Sequence, residues 1–146
     1  MTPTQVLKFW FQELTPKQKF AKDPELDQQI AERFGELHAA AVNGELRDWR
    51  HTATGRLAEI IVLDQFARNI YRDQPKAFAA DQLALELALE AIEAGVDQEL
   101  ESEQKAFLYM PLMHSEDPTV HVKAVELYGS NPDLAYNLKY EIKHKE

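Results

Sequence analysis

The residues with the clearest chemical potential lie in the segment 53–72. An apolar stripe that begins at Leu57 continues, at helical spacing, onto Asp64 and Arg68. The opposite side of this predicted helix is also apolar, through Val62 and Phe66. An exposed carboxylate–guanidinium pair four residues apart contributes only about 0.3–0.5 kcal/mol, whereas removing one partner of a buried pair costs about 3–5 kcal/mol. Because both sides of the helix are apolar, the pattern predicts a buried ionic site.

A second group of polar residues follows an apolar segment near the end of the chain. Residues 107–113 are apolar on all sides, and His114, Ser115 and Glu116 come directly after them. Pro111 removes a helical hydrogen bond and is expected to kink or stop the helix there. The sequence therefore predicts polar side chains carried by a buried, bent support.

We expect these two groups to meet in a polar pocket between helices. The predicted site residues are Asp64, Gln65, Arg68, Asn69, Arg72, Asp81, Tyr109, His114, Ser115 and Glu116. The leading hypothesis is that the pocket binds a small anionic ligand, or an acidic or C-terminal peptide. In that hypothesis Arg68 and Arg72 bind the carboxylate through their planar, two-pronged guanidinium groups.

Two other classes of function stay open on the sequence alone. One is a hydrolase-type or acid–base enzyme that uses His114 with Asp64 or Glu116. A catalytic triad made from residues 114–116 alone is not expected, since residues one and two apart on a helix do not face each other. The other class is a structural or assembly protein, in which a buried polar network only specifies how the helices pack.

Neither a metal nor a cofactor is predicted. His114, Glu116 and His121 could be drawn together as ligands, but no HExxH or Glu-x-x-His pattern supports a metal site. The chain has no cysteine, which excludes disulfides, thiolate metal sites and cysteine nucleophiles. A reducing compartment suits such a sequence, and we expect the protein to be cytoplasmic.

Charge and hydropathy exclude two kinds of partner. The net charge is −9, and nucleic-acid binding needs clustered positive charge, so no nucleic-acid partner is expected. The longest apolar run, Ala106 to Met113, is about eight residues, against the roughly 20 that span a bilayer. We therefore expect no membrane association, while a homo-oligomer stays open.

Three residue pairs in the chain are typical of the first residues of a helix. Asp23-Pro24, Asp117-Pro118 and Asn131-Pro132 each pair a capping side chain with a proline suited to the first helical turn. Helices are predicted at 3–14, 24–42, 53–72, 76–94, 102–114, 118–129 and 132–145, with a short turn near Leu46 to Trp49. No strand signal or tandem sequence repeat competes. The sequence thus predicts one all-α domain, 1–146, of about seven antiparallel helices stacked as helical hairpins.

Three strings resemble the bacterial domain-of-unknown-function family 924, which is grouped with tetratricopeptide-like helical folds. They are Leu63 to Arg72, Ala77 to Asp81 and Phe107 to Asp117. The resemblance covers essentially the whole chain and implies a tetratricopeptide-like, all-α architecture without a settled biochemical activity. Members of the family usually continue beyond a segment like Tyr140 to Glu146, so the resemblance also implies a C-terminus that is shortened relative to the family.

Overall fold

The computed structural model describes residues 1–129, apart from the side chain of Phe20. Within these residues the α-helices are Pro3–Lys8 (α1), Pro16–Phe20 (α2), Pro24–Val42 (α3), Ala53–Ile61 (α4), Ala67–Ile70 (α5), Asp81–Glu93 (α6), Ser102–Leu108 (α7), Met110–His114 (α8) and Pro118–Gly129 (α9). Two π-helical turns, Phe9–Glu13 and Val62–Phe66, extend α1 and join α4 to α5. Short 3₁₀ turns span Arg47–His51, Pro75–Phe78 and Val96–Glu99. The described chain has no β-strand, and the predicted all-α class is confirmed.

Two of the predicted Asp-Pro starts begin helices as expected. The Asp23 carboxylate accepts a hydrogen bond from the Leu26 N–H at 3.2 Å, which caps α3. The Asp117 carboxylate accepts from the Thr119 N–H at 2.9 Å at the start of α9. The third predicted start, Asn131-Pro132, and the helix predicted over 132–145 lie outside the described residues.

Several predicted helix bounds are wrong in instructive ways. The helix predicted over 102–114 breaks at Tyr109. Pro111 is the second residue of the next helix, where a backbone N–H would have no partner within the helix, so the proline costs no hydrogen bond. The helix predicted over 76–94 begins only at Asp81, after a 3₁₀ turn. The short helix α2 was not predicted; Thr15 and Gln18 form a capping box at its start.

The rod formed by α4, the π turn Val62–Phe66 and α5 is the centre of the fold. Helix α3 packs against the π turn and α5, while α1, α6 and α7 pack against α4. Aromatic side chains fill the space around the rod: the Phe34 and Phe66 ring centroids lie 4.6 Å apart. Protein therefore encloses the rod, as the two apolar faces predict. The tetratricopeptide-like stacking of hairpins stays a prediction.

A close backbone contact fixes the start of the rod. A Cβ atom on Gly55 would lie 1.9 Å from the carbonyl oxygen of Trp49, so only glycine lets the 3₁₀ turn Arg47–His51 pack against α4. The same turn carries Arg50, which donates two hydrogen bonds of 2.9 Å to the buried carboxylate of Glu59. None of the described helices is both long enough and apolar enough to cross a membrane.

Candidate functional site

The π turn places two polar side chains inside the protein. Asp64 and Gln65 lie within it and are 1% and 6% exposed. Their apolar neighbours Leu63 and Phe66 are completely buried as well. A π turn is rare, and such turns occur frequently at functional sites. This turn is therefore a candidate position for the functional site.

The Asp64 carboxylate is the centre of a cluster of hydrogen bonds. Its Oδ1 lies 2.8 Å from Nδ1 of His114, at the end of α8, and 3.1 Å from Nη1 of Arg68 in α5. Its Oδ2 accepts a hydrogen bond of 2.8 Å from the side-chain amide of Gln65. The His114 side chain is only 4% exposed. One buried carboxylate thus joins side chains from the π turn, α5 and α8.

Opposing effects act on the pKa of Asp64. Burial raises it, since a charged carboxylate loses its hydration. The positive charges of His114 and Arg68 and the hydrogen bonds from His114 and Gln65 together outweigh burial, so the pKa lies below the usual Asp value. Asp64 is therefore ionised at neutral pH, and His114 donates its Nδ1 proton to it.

Arg68 connects Asp64 to a second carboxylate. Its two terminal nitrogens bind the two oxygens of Asp81 at 2.9 and 3.0 Å, in a bidentate pair. Asp81 is the first residue of α6, where a helix N-terminus favours negative charge. The Arg68 guanidinium also lies 5.4 Å from the ring centroid of Phe78. Arg68 is thus held between two carboxylates, with 22% of its side chain exposed.

The partly exposed side of this cluster forms the wall of a cleft. The cleft has a volume of about 750 Å³, within the range of small-molecule sites. It lies between the start of α6 and the connection from α8 to α9. The described residues that line it are Arg68, Phe78, Ala79, Asp81, Gln82, Leu85, Pro111, His114, Ser115, Glu116 and Asp117. We call this space the α6–α8 cleft.

Five of the predicted site residues line the α6–α8 cleft: Arg68, Asp81, His114, Ser115 and Glu116. Asp64 and Gln65 hold the cleft wall through hydrogen bonds to Arg68, to His114 and to each other. The Ser115 hydroxyl oxygen accepts the Asp117 N–H at 3.1 Å, which stabilises the turn before α9. Glu116 is exposed at the rim. The structure thus brings seven of the ten predicted residues to one place.

Asn69 and Arg72 belong to a different cluster. The Asn69 amide donates to Oδ1 of Asp27, in α3, at 2.9 Å. Arg72 donates to both oxygens of Asp27, at 2.6 and 3.2 Å. Neither residue lines the α6–α8 cleft. Arg72, which was predicted with Arg68 to bind a ligand carboxylate, instead lies outside the cleft and binds a carboxylate of the protein.

Tyr109 also lies away from the cleft. Its hydroxyl donates a hydrogen bond of 2.6 Å to Oδ2 of Asp97, and both residues are buried. Burial, with the adjacent Asp97 carboxylate, raises the pKa of Tyr109 well above its usual value. The phenol therefore stays protonated and joins the end of α7 to the 3₁₀ turn Val96–Glu99.

Two cleft residues that the site prediction missed are Phe78 and Asp117. Phe78 is 59% exposed, which is unusual for a large aromatic side chain. Both residues lie within the strings that carry the family resemblance, and this was the signal that could have found them. Gln82 and Leu85 follow Asp81 along one face of α6, a placement visible only once α6 is docked.

Fold and site together define an all-α protein with a buried ionic cluster beside a ligand-sized cleft. The chain belongs to the family described as bacterial protein of unknown function (DUF924), whose model matches residues 6–146. A solved structure of a protein of unknown function, ATU0120 from Agrobacterium tumefaciens, is 32% identical, with a TM-score of 0.85. That match covers 94% of this chain and 79% of the other. No curated protein matches the chain.

Proposed function

We propose that this protein binds a small polar ligand in the α6–α8 cleft, in contact with Arg68 and His114. One observation carries the proposal: a buried, ionised Asp64 holds both of these side chains in the wall of a cleft of about 750 Å³. An ionised carboxylate in the interior loses several kcal/mol of hydration and needs several partners to offset that loss. A single apolar contact would join the same helices at lower cost.

The distribution of exposure also supports a binding site. Here Arg68 and Asp81 keep 22% and 28% of their side chains exposed, on the side of the cleft. Charged groups that are held rigidly and remain partly accessible are typical of ligand sites.

A second candidate function is acid–base catalysis, and the 2.8 Å contact between His114 Nδ1 and Asp64 favours it. An ionised carboxylate at Nδ1 fixes the ring orientation and the tautomer, so that Nε2 is the basic nitrogen. In such an enzyme Nε2 would take a proton from the ligand or from water, and Asp64 would stabilise the resulting imidazolium. Asp64 supports this candidate better than Glu116 does, because its Oδ1 lies 2.8 Å from His114 Nδ1.

Ligand binding can be tested with a thermal-shift panel of small polar metabolites on the full chain. We expect at least one compound class to raise the melting temperature of the wild type but not of Arg68→Met or His114→Gln. Matched controls are Arg47→Met and His51→Gln, which replace the same residue types at exposed positions away from the cleft. If every stabilising compound acts equally on the cleft variants and the controls, the cleft is not the binding site.

Catalysis needs a separate measurement. Compounds that bind are incubated with wild type, His114→Gln and Asp64→Asn, and turnover is followed by NMR. We expect turnover to vanish in His114→Gln and its pH profile to move in Asp64→Asn, because the carboxylate sets the basicity of the ring. Binding without turnover, or turnover that survives in His114→Gln, would contradict the enzymatic candidate and leave ligand binding intact.

A further inference from the structure

Among the described residues, the charges that line the α6–α8 cleft do not balance. Arg68 and His114 are the basic groups in this part of the lining, and Asp64 and Asp81 already match them as hydrogen-bonded partners. Glu116 and Asp117 then remain as additional carboxylates in the lining. The whole chain carries a net charge of −9, which adds to the negative potential. An anionic ligand would therefore meet like charge at the rim.

An exposed aromatic ring lies in the same cleft. Phe78 is 59% exposed, and its ring already has one cation, the Arg68 guanidinium, 5.4 Å from its centroid. The face of an aromatic ring attracts cations, and the attraction grows as water is excluded. Leu85 and Pro111 add apolar surface to the lining. The cleft thus combines excess carboxylate charge, an accessible ring and aliphatic surface.

Building on the proposed function, we infer that the ligand of the α6–α8 cleft is an organic amine, whose ammonium group contacts Glu116 and Phe78 and whose carbon chain packs on Leu85 and Pro111. The volume of about 750 Å³ exceeds what a single inorganic cation needs and suits a molecule with a carbon skeleton. This assignment reverses the sign of the ligand expected from the sequence. The reason is that the cations of the cleft are already bound to carboxylates of the protein.

The test uses three probes with the same four-carbon chain: 1,4-diaminobutane, 1,4-butanediol and succinate. Amide NMR spectra of the full chain are recorded during each titration. We expect diaminobutane to shift amides in segments 78–82 and 114–117, and butanediol and succinate to shift them much less. We expect the diaminobutane affinity to fall about two- to fivefold in Phe78→Leu and in Glu116→Gln. Added salt should also weaken the binding of diaminobutane to the wild type.

Glu25→Gln is the matched control, since Glu25 is an exposed carboxylate on α3 outside the cleft. It should leave the diaminobutane affinity unchanged. An equal loss in Glu25→Gln and Glu116→Gln would show general attraction to an acidic surface and would overturn the inference. Stronger binding of succinate at the same amides would overturn the inference that the ligand is an amine, but the cleft would still be a binding site. If no probe shifts cleft amides while the metabolite panel finds a ligand there, the inference alone fails.

Discussion

The Nδ1 atom of His114 lies 2.8 Å from Oδ1 of Asp64, although 50 positions of sequence separate the two residues. The contact joins the end of α8 to the π turn in the central rod, and both side chains are buried. It couples the stability of the fold to the geometry of the cleft, since the same carboxylate also binds Arg68.

Asp64→Asn should lower the free energy of unfolding at pH 7 by about 3–5 kcal/mol, because it removes the buried carboxylate that binds both His114 and Arg68. The folded-state pKa of Asp64 lies below its usual 3.8, so its contribution is fully present above the unfolded pKa. That contribution is lost as the pH falls through the folded value. Urea unfolding at pH 7 and at pH 3 measures both effects.

The control for that experiment is Asp48→Asn, an exposed carboxylate in the 3₁₀ turn Arg47–His51. It should change stability by less than about 0.5 kcal/mol. If Asp64→Asn behaves like Asp48→Asn at pH 7, then Asp64 is not the ionised centre of the cluster.

His38 should make the protein less stable in mild acid. It is 5% exposed, its Nε2 has no hydrogen-bond partner among the described residues, and burial, with the charge of Lys76, lowers its pKa below 6.5. The unfolded chain therefore binds a proton more readily than the folded one. The stability from His38 is complete above pH 6.5 and is lost as the pH falls toward the folded pKa.

His38→Phe should remove that part of the pH dependence and add roughly 1 kcal/mol at pH 7, because it removes an unsatisfied buried nitrogen and keeps a ring beside Tyr71. Free energies of unfolding at pH 5 and pH 8 provide the test. His51→Phe, at an exposed position, serves as the control. An unchanged slope between the two pH values in His38→Phe would contradict the assignment.

Gly55→Ala should destabilise the fold by about 2–3 kcal/mol or more. The added Cβ would lie 1.9 Å from the backbone carbonyl oxygen of Trp49, which cannot move without displacing its turn. Gly35→Ala, in the middle of α3 with nothing within 4 Å of its Cβ, should instead stabilise by about 0.5–1 kcal/mol. Opposite shifts in melting temperature are expected, and equal shifts would show that the contact at Gly55 is not tight.

Arg72→Met should weaken the fold without weakening ligand binding. Its guanidinium holds Asp27 of α3 at 2.6 Å, outside the α6–α8 cleft, so its removal costs about 1–3 kcal/mol of stability. Arg68→Met should weaken both, because Arg68 holds Asp81 and lies against Phe78 in the wall of the cleft. Calorimetric titration of both variants with any ligand found in the panel separates the two arginines; a loss of affinity in Arg72→Met equal to that in Arg68→Met would return Arg72 to the site.

Much of the fold was predictable because its signals are local. The cap at Asp23 and the apolar stripe of the helix after it depend on residues within a few positions of each other. The sequence predicted the break at Pro111, two residues after the observed break at Tyr109. A proline can stop a helix, but it also suits the first turn of a new one, as it does here. The π turn at Val62–Phe66 was not predicted, because the same letters suit an uninterrupted α-helix.

The site was predictable as a set of residues but not as a set of partners. Burial of Asp64 followed from the two apolar faces of its helix. The partners depended on tertiary docking: Asp27 and Asp81 lie 45 positions before Arg72 and 13 positions after Arg68. Periodicity cannot show which arginine binds which carboxylate, and these pairings determine which charged groups of the described cleft lining already have a partner within the protein.

The π turn Val62–Phe66 determines the direction in which each side chain of α5 points around the axis of the rod. Each residue of an α-helix turns the chain by about 100° and advances it by about 1.5 Å. Deletion of one residue within the turn would therefore rotate α5 about its axis by more than a quarter of a revolution. This rotation would move the Arg68 guanidinium away from Asp81. The Asp64 cluster and the Asp27 cluster would both be lost, although they use different side chains of the rod.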